Sequence, residues 1–370
     1  MAVQNIILPI VYFFAKIRPV ENGLVVFADA HHDKCPVSMK SVLSKLKCDN
    51  DFRVLEFYHD FQSCGSFKSL KYSIEFMKLY ASAEFVFICD NFLPVSACRK
   101  RRDTTVIQLW HGCGAFKKFG YDTAGDIPKY YKGNVYKNYD IVTVSSDECI
   151  KHFSSAMKLD ESIFKPIGVS RTDVFFDKVF LENSKELFFK ENPDAIGKKI
   201  VLWAPTFRGN PGNPYLVGDE AVAQLADELR NCNEWYFVTK SHPHMKKPVI
   251  LDAESDIPTE MIFPVADLLI TDYSSVIYEY ALFKKPILIF APDIENYKSE
   301  RGFYLDFESL PAKIVTKSDK LTIKAVEDAI SEFDENKTNE FLDKYMTSCD
   351  GRATDRIVEY VKEIKKQKDN

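Results

Sequence analysis

Four short stretches of this 370-residue chain combine side chains that move protons with side chains that hold anions. His111 stands in "TTVIQLWHG", Thr206 and Arg208 in "KKIVLWAPTFR", His242 in "EWYFVTKSHPH", and Asp272, Ser274 and Ser275 in "DLLITDYSS". A neutral imidazole can accept a proton near pH 7. A guanidinium offers a fixed fork to phosphate oxygens. Serines where a strand hands over to a helix join free backbone N–H groups and the helix dipole, which together attract anions. Each group also has a plain reading: a single His at a strand end is usually structural, and Asp and Ser are favoured helix caps. Four such sets at four successive strand ends point instead to group transfer from a phosphate-bearing donor. The set holds no metal-ligand cluster.

The elements that must position these groups are legible as apolar runs. "GLVVFADA", "FRVLEFYH", "AEFVFICD", "TTVIQLWH" and "YDIVTVSS" are nearly continuous, and the pattern restarts after Lys198 with "KKIVLWAPT", "EWYFVTKSH", "DLLITDYSS", "PILIFAPD" and "AKIVT". Continuous rather than alternating runs indicate parallel strands covered on both faces. Two doubly wound α/β domains are therefore expected, joined near Pro166–Phe176, with ligands beyond the carboxyl ends of the strands. The expected division is an apolar N-terminal segment over 1–20, domains over 21–168 and 169–345, and a helical tail over 346–370. No G-x-G-x-x-G follows the first strand, and no G-x-S-x-G elbow or P-loop occurs, so dinucleotide oxidation and α/β-hydrolase chemistry find no support.

A net charge of −5 excludes a globally basic nucleic-acid binder, and 46% hydrophobic with 28% charged residues is the make-up of a soluble globular chain. Nine Cys without a C-x-x-C pair suit buried thiols in a reducing compartment. The run Asn5–Arg18 is apolar and closes on Lys16 and Arg18, but it is shorter than the roughly 20 residues of a spanning helix and does not read as a signal peptide. Two readings stand for it: a helix in the headgroup layer of an anionic bilayer, or a first helix packed on the core. From Cys98 to Asp140 nine basic residues (Arg99, Lys100, Arg101, Arg102, Lys117, Lys118, Lys129, Lys132 and Lys137) face four acidic ones. A solvated face is the ordinary meaning of such a run. Because it brackets His111, it reads here as attraction of an anionic substrate or membrane surface.

"VIQLWHGCGAFKKFG", "IGVSRTD", "LWAPTFR", "SHP" and "ADLLITDYSSVIYEYALFKKPILIFAPDIENYKSERGFYLDFE" resemble, in order, the motifs of the CDP-glycerol glycerophosphotransferase family of wall teichoic acid synthesis. The resemblance runs from about Gly23 and implies a GT-B-like fold, two Rossmann-like domains facing a cleft. It implies transfer of glycerol phosphate from CDP-glycerol to a hydroxyl of an undecaprenyl-diphosphate-linked saccharide, with release of CMP, at the cytoplasmic face of the membrane. No cofactor or metal is implied, and the oligomeric state stays open. Polymerases of the family usually follow His-Gly with Thr-Pro, whereas Cys113-Gly114-Ala115-Phe116 stand here, as in the primase branch. An extra N-terminal domain carried by some polymerases is also absent from the sequence.

Under this resemblance His111 is the base and His242 donates to the diphosphate. Arg208, Thr206, Ser274 and Ser275 hold the donor phosphate, and Asp272 orients their turn. Glu279 is either a ribose contact or a solvated helix acid, and Arg301 either a phosphate contact or a surface ion pair. Lys117, Lys118 and Arg99, Lys100, Arg101 and Arg102 fall on the acceptor or membrane side. The alternatives are a glycerol- or ribitol-phosphate polymerase of the same family, a GT-B glycosyltransferase using a nucleotide sugar, and a non-catalytic membrane scaffold.

Overall fold

The apolar runs form two parallel sheets. The structure, a computed structural model, describes residues 2–127, 131–210, 213–241, 245 and 253–370, so His242 and Lys129 lie outside the described residues. One compact unit comprises Met1–Gly114, Phe119–Asp173 and Met346–Asn370, and the other Ala115–Lys118 and Val174–Tyr345.

In the first unit β1 (Leu24–Asp29), β2 (Arg53–Tyr58), β3 (Phe85–Ile88), β4 (Thr105–Gln108), β5 (Ile141–Thr143) and β6 (Phe164–Lys165) lie in the order β2-β1-β3-β4-β5-β6. All five pairings are parallel. β1, β3 and β4 are buried throughout, which is why their sequences show no apolar–polar alternation, whereas the edge strand β2 exposes Arg53 and Glu56. Phe27 and Phe87 stack at 4.6 Å in the middle of the sheet. The C-terminal helix Ala353–Asp369 belongs to this unit: Ile357, Val358 and Val361 join Val25, Phe27 and Ile107 in one core. Asp173 holds the start of that helix by accepting from Ala353 N and Thr354 N.

The second unit contains β7 (Lys199–Trp203), the antiparallel pair β8 (Arg208–Asn210) and β9 (Asn213–Tyr215), β10 (Trp235–Thr239), β11 (Leu268–Thr271), β12 (Ile287–Phe290) and β13 (Lys313–Val315). Its main sheet has the order β10-β7-β11-β12-β13, again wholly parallel. Val201, Trp203, Phe237, Leu268, Ile270 and Leu288 form its core.

Strand order reverses between β1 and β3 in the first sheet and between β7 and β11 in the second. In doubly wound sheets ligands bind beyond the carboxyl ends at such reversals. The two addresses are thus the segments after Asp29 and Ile88, and those after Trp203 and Thr271.

The N-terminal helix Leu8–Ala15 buries Leu8 and Tyr12, and the Tyr12 ring meets Tyr80 of the helix Ser66–Ser82 at 5.2 Å. Ile6, Ile10, Phe13, Phe14 and Ile17 stay exposed. One face of the helix is core, and the other is an outward apolar surface. Among the described residues no helix is long and apolar enough to cross a membrane.

Candidate active site

At the reversal of the second sheet, β7 ends in Ala204-Pro205-Thr206 and β11 in Asp272-Tyr273-Ser274-Ser275. The two ends are tied together by Asp272, whose Oδ1 accepts from Thr206 N and Thr206 Oγ1, each at 2.8 Å. Its Oδ2 accepts from Arg208 Nη1 at 2.9 Å. The other side of the same guanidinium is gripped in a bidentate way by Asp293, from Nε at 2.8 Å and Nη2 at 3.2 Å. Tyr273 Oη also donates to Asp293 at 2.8 Å. The guanidinium carbon lies 4.6 Å from the Tyr273 ring centroid and 5.1 Å from that of Tyr297.

Burial works against the Arg208 charge, yet the two carboxylates raise its pKa above the usual value. Burial likewise pushes Asp293 up, but the Arg208 guanidinium and the Tyr273 hydroxyl outweigh it and hold the carboxyl below its usual range. Burial takes the Tyr297 phenol up to about 12. The fork that sequence reasoning assigned to a donor phosphate is therefore engaged by two carboxylates, with Arg208 only 8% exposed. Arg208 acts here as a clasp beneath the serine turn, and Asp272 as its orienting partner.

Ser274 is buried beside this clasp, and its hydroxyl accepts weakly from Val276 N at 3.4 Å. Ser275 occupies the cap position of the helix Val276–Ala281, but its hydroxyl makes no capping bond. The plain capping role is thus only partly filled. Glu279 is 4% exposed, so the solvated-acid reading fails for it. Arg301 Nε donates to the Lys118 carbonyl at 3.0 Å, and Lys118 N donates to the Gly302 carbonyl at 3.1 Å. Phe116 stacks on Phe303 at 5.1 Å. Lys117 and Lys118 are thereby part of the packed "ERGFY" region of the second unit rather than a free basic loop.

In the first unit β4 ends at Gln108, earlier than its apolar run suggests, because Trp110 turns into the left-handed region with φ 58°. His111 follows, its side chain 48% exposed. Its Nδ1 lies 3.2 Å from the Cys89 carbonyl oxygen and 3.7 Å from Asp90 Oδ2. Arg171 Nη1 donates to the His111 carbonyl at 2.8 Å. The basic run divides: Arg99 and Arg102 are exposed, while Lys100 pairs with Asp140 at 2.9 Å and Arg101 holds the carbonyls of Lys16 and Arg18. Those last two are half-buried and engaged within the unit.

Among the described residues no group of His, Cys, Asp or Glu comes together in a way that could hold a metal ion. Sequence reasoning passed over Asp293, Tyr273, Asp90 and Gln108. Asp90 and Asp293 close the runs "FICD" and "PILIFAPD", so the strand-end rule that selected His111 would have selected them too.

The profile of a family described as CDP-glycerol:poly(glycerophosphate) glycerophosphotransferase matches residues 10–363. The chain is 32% identical over 361 residues to a teichoic acid ribitol-phosphate primase of Bacillus spizizenii, covering 93% of this chain and 92% of that protein. It is 30% identical over 296 residues to a teichoic acid glycerol-phosphate primase of Bacillus subtilis, covering 75% and 74%. Its fold matches that of the wall teichoic acid polymerase TagF with a TM-score of 0.76 at 20% identity, over 97% of this chain and 94% of the other.

Proposed function

The chain belongs to the CDP-glycerol:poly(glycerophosphate) glycerophosphotransferase family, and we propose that it is a priming enzyme within it. The reaction moves glycerol phosphate from CDP-glycerol to a hydroxyl of a lipid-linked saccharide and releases CMP. The observation that carries the priming role is the similarity to a priming enzyme over 93% of this chain and 92% of that relative, and glycerol phosphate as the group moved rests on the family's description. The acceptor hydroxyl attacks the β-phosphorus and gives its proton to His111. Ser274, Ser275 and the N–H groups behind them hold the donor phosphate. Arg208, Asp272 and Asp293 keep that turn in place without touching the donor. Thr206, tied to Asp272, sits at the end of the neighbouring strand β7. The buried Glu279 and the half-buried Arg301 support this region, and His242 donates to the diphosphate.

A second reading replaces glycerol by ribitol. It is favoured by the identity of that near-full-length relative as a ribitol-phosphate primase. Purified protein offered CDP-glycerol, CDP-ribitol and a nucleotide sugar, each with a lipid-linked saccharide, separates the possibilities. CMP release with CDP-glycerol and product limited to one or a few units is the expected result. Faster turnover of CDP-ribitol selects the second reading, long product makes the enzyme a polymerase, and turnover of the nucleotide sugar alone refutes both.

Peripheral attachment to an anionic membrane is part of the same proposal. It rests on the outward face of Ile6, Ile10, Phe13, Phe14 and Ile17 and on the exposed Arg99 and Arg102. An apolar insertion together with a basic patch gives useful residence at a surface where either alone is marginal. Binding to anionic vesicles, weak binding to neutral ones and loss at high salt are expected. Replacing Ile10, Phe13 and Phe14 by Ser leaves the buried Leu8 and Tyr12 untouched and should reduce vesicle sedimentation. Indifference of the wild type to anionic vesicles at low salt would show that the helix serves the core alone.

A further inference from the structure

The carboxyl ends of β3 and β4 carry a brace that the proposed chemistry leaves unassigned. Gln108 is fully buried, and its amide spans both strand ends. Nε2 donates to the Asp90 carbonyl at 3.0 Å, and Oε1 accepts from Trp110 N at 2.9 Å. Trp110 is thereby held at its φ of 58°, a conformation that bulky residues rarely take. Phe119 and Phe153 support its ring at 5.1 and 5.5 Å. The same ring lies against the His111 imidazole, at 4.7 Å and 26°. Backbone and ring together fix the direction in which His111 leaves the strand.

That direction puts Nδ1 on the Cys89 carbonyl at 3.2 Å. A carbonyl only accepts, so the ring proton must sit on Nδ1 and the lone pair on Nε2. Asp90 Oδ2, at 3.7 Å from the same nitrogen, is placed to stabilise positive charge on the ring. The other Asp90 oxygen accepts from Asn91 N at 2.6 Å, which keeps the carboxylate turned to this position. Arg171 donates to the His111 backbone carbonyl.

We propose that Asp90 is the positioning residue of His111: with the Cys89 carbonyl it keeps the ring proton on Nδ1 and stabilises the imidazolium formed when Nε2 takes the acceptor proton. The inference rests on His111 being the base. In the step itself the acceptor oxygen forms a bond to the β-phosphorus and the bond to the CMP oxygen breaks. CMP leaves with the electron pair, and the hydroxyl proton stays on Nε2 until solvent removes it. Asp90 takes no proton and touches no substrate.

The test combines a ring measurement with a mutant cycle. Nitrogen NMR of ring-labelled histidine, assigned with His111→Gln, should show neutral His111 protonated on Nδ1. Asp90→Asn should lower kcat roughly tenfold or more, up to the about 10⁴ lost when the Asp behind a general-base His is changed to Asn, while the KM and calorimetric affinity for CDP-glycerol stay unchanged. In a His111→Ala background the same substitution should cost nothing more, since the residue acts through the ring. A ring proton on Nε2 would overturn the proposal. So would an Asp90→Asn kcat within twofold of wild type, or an equal loss in both backgrounds. Normal turnover of His111→Ala alone would refute the base instead, and the ring measurement, which needs no turnover, tells the two failures apart.

Discussion

Replacement of His111 by Ala is expected to lower CMP release by roughly 10²–10⁴, the contribution of a positioned general base, with affinity for CDP-glycerol nearly unchanged. The expectation follows from placement. The imidazole follows the end of β4 at the carboxyl edge of the first sheet, just past the turn at Trp110, with one nitrogen engaged by a backbone carbonyl and the ring half exposed. The hydroxyl that attacks phosphorus must lose its proton, and an imidazole does this near neutral pH where a carboxylate or lysine would first need a large pKa shift. The side chain is not part of the core, so its removal opens no cavity, and a fall in rate reports chemistry rather than folding. In free-energy terms the loss corresponds to about 2.7–5.4 kcal/mol of the barrier, at about 1.36 kcal/mol per tenfold. Single-turnover measurement with saturating CDP-glycerol separates this from donor binding. A folded variant that releases CMP at near-normal rate removes His111 from the mechanism.

The sheets were readable because parallel strands covered on both faces are largely apolar without the alternation of half-exposed strands. β1, β3, β4, β11 and β12 are buried from end to end. Shorter elements carried no such signal. β6 has two residues, and the β8–β9 pair lies in "TFRGNPGNPY", where Gly, Asn and Pro read as loop. Reasoning from strand ends singled out His111, Thr206 and the serine turn because ligands of doubly wound sheets bind beyond the carboxyl ends, a rule that ignores what each side chain meets. It could not tell what each side chain meets. Arg208 looks like a phosphate fork from its type alone, but its partners Asp272 and Asp293 lie 64 and 85 residues further along the chain. Glu279 shows the same limit: its place one turn past Ser275 says helix, while its burial depends on the packing around that helix. The four consecutive cations at Arg99–Arg102 read as one patch, yet backbone carbonyls at the end of the N-terminal helix draw Arg101 inward and Asp140 draws in Lys100.

Arg208→Met should strongly destabilise the second unit. The side chains are similar in length, so little packing volume is lost, but Asp272 and Asp293 would be left facing each other without a cation. Breaking a buried pair in this way costs on the order of 3–5 kcal/mol. Arg208→Lys should recover only part of it, because one ammonium cannot span two carboxylates and lacks the planar face that lies near Tyr273 and Tyr297. Adding Asp293→Asn to Arg208→Met should relieve some of the loss, since one stranded charge then disappears. The pH dependence has a definite sign. Asp293 titrates below its usual range in the folded protein, so its contribution is complete above the ordinary Asp value of about 3.9 and is lost as pH falls through the lower folded value. Urea midpoints of wild type and Arg208→Met should therefore differ most near neutrality and draw together in acid, as Asp293 becomes protonated. Donor affinity should fall with stability, because Asp272 fixes Thr206 and directly precedes Tyr273-Ser274-Ser275. Equal midpoints at pH 7 would mean that the carboxylates find other partners and that the clasp beneath the serine turn carries no weight.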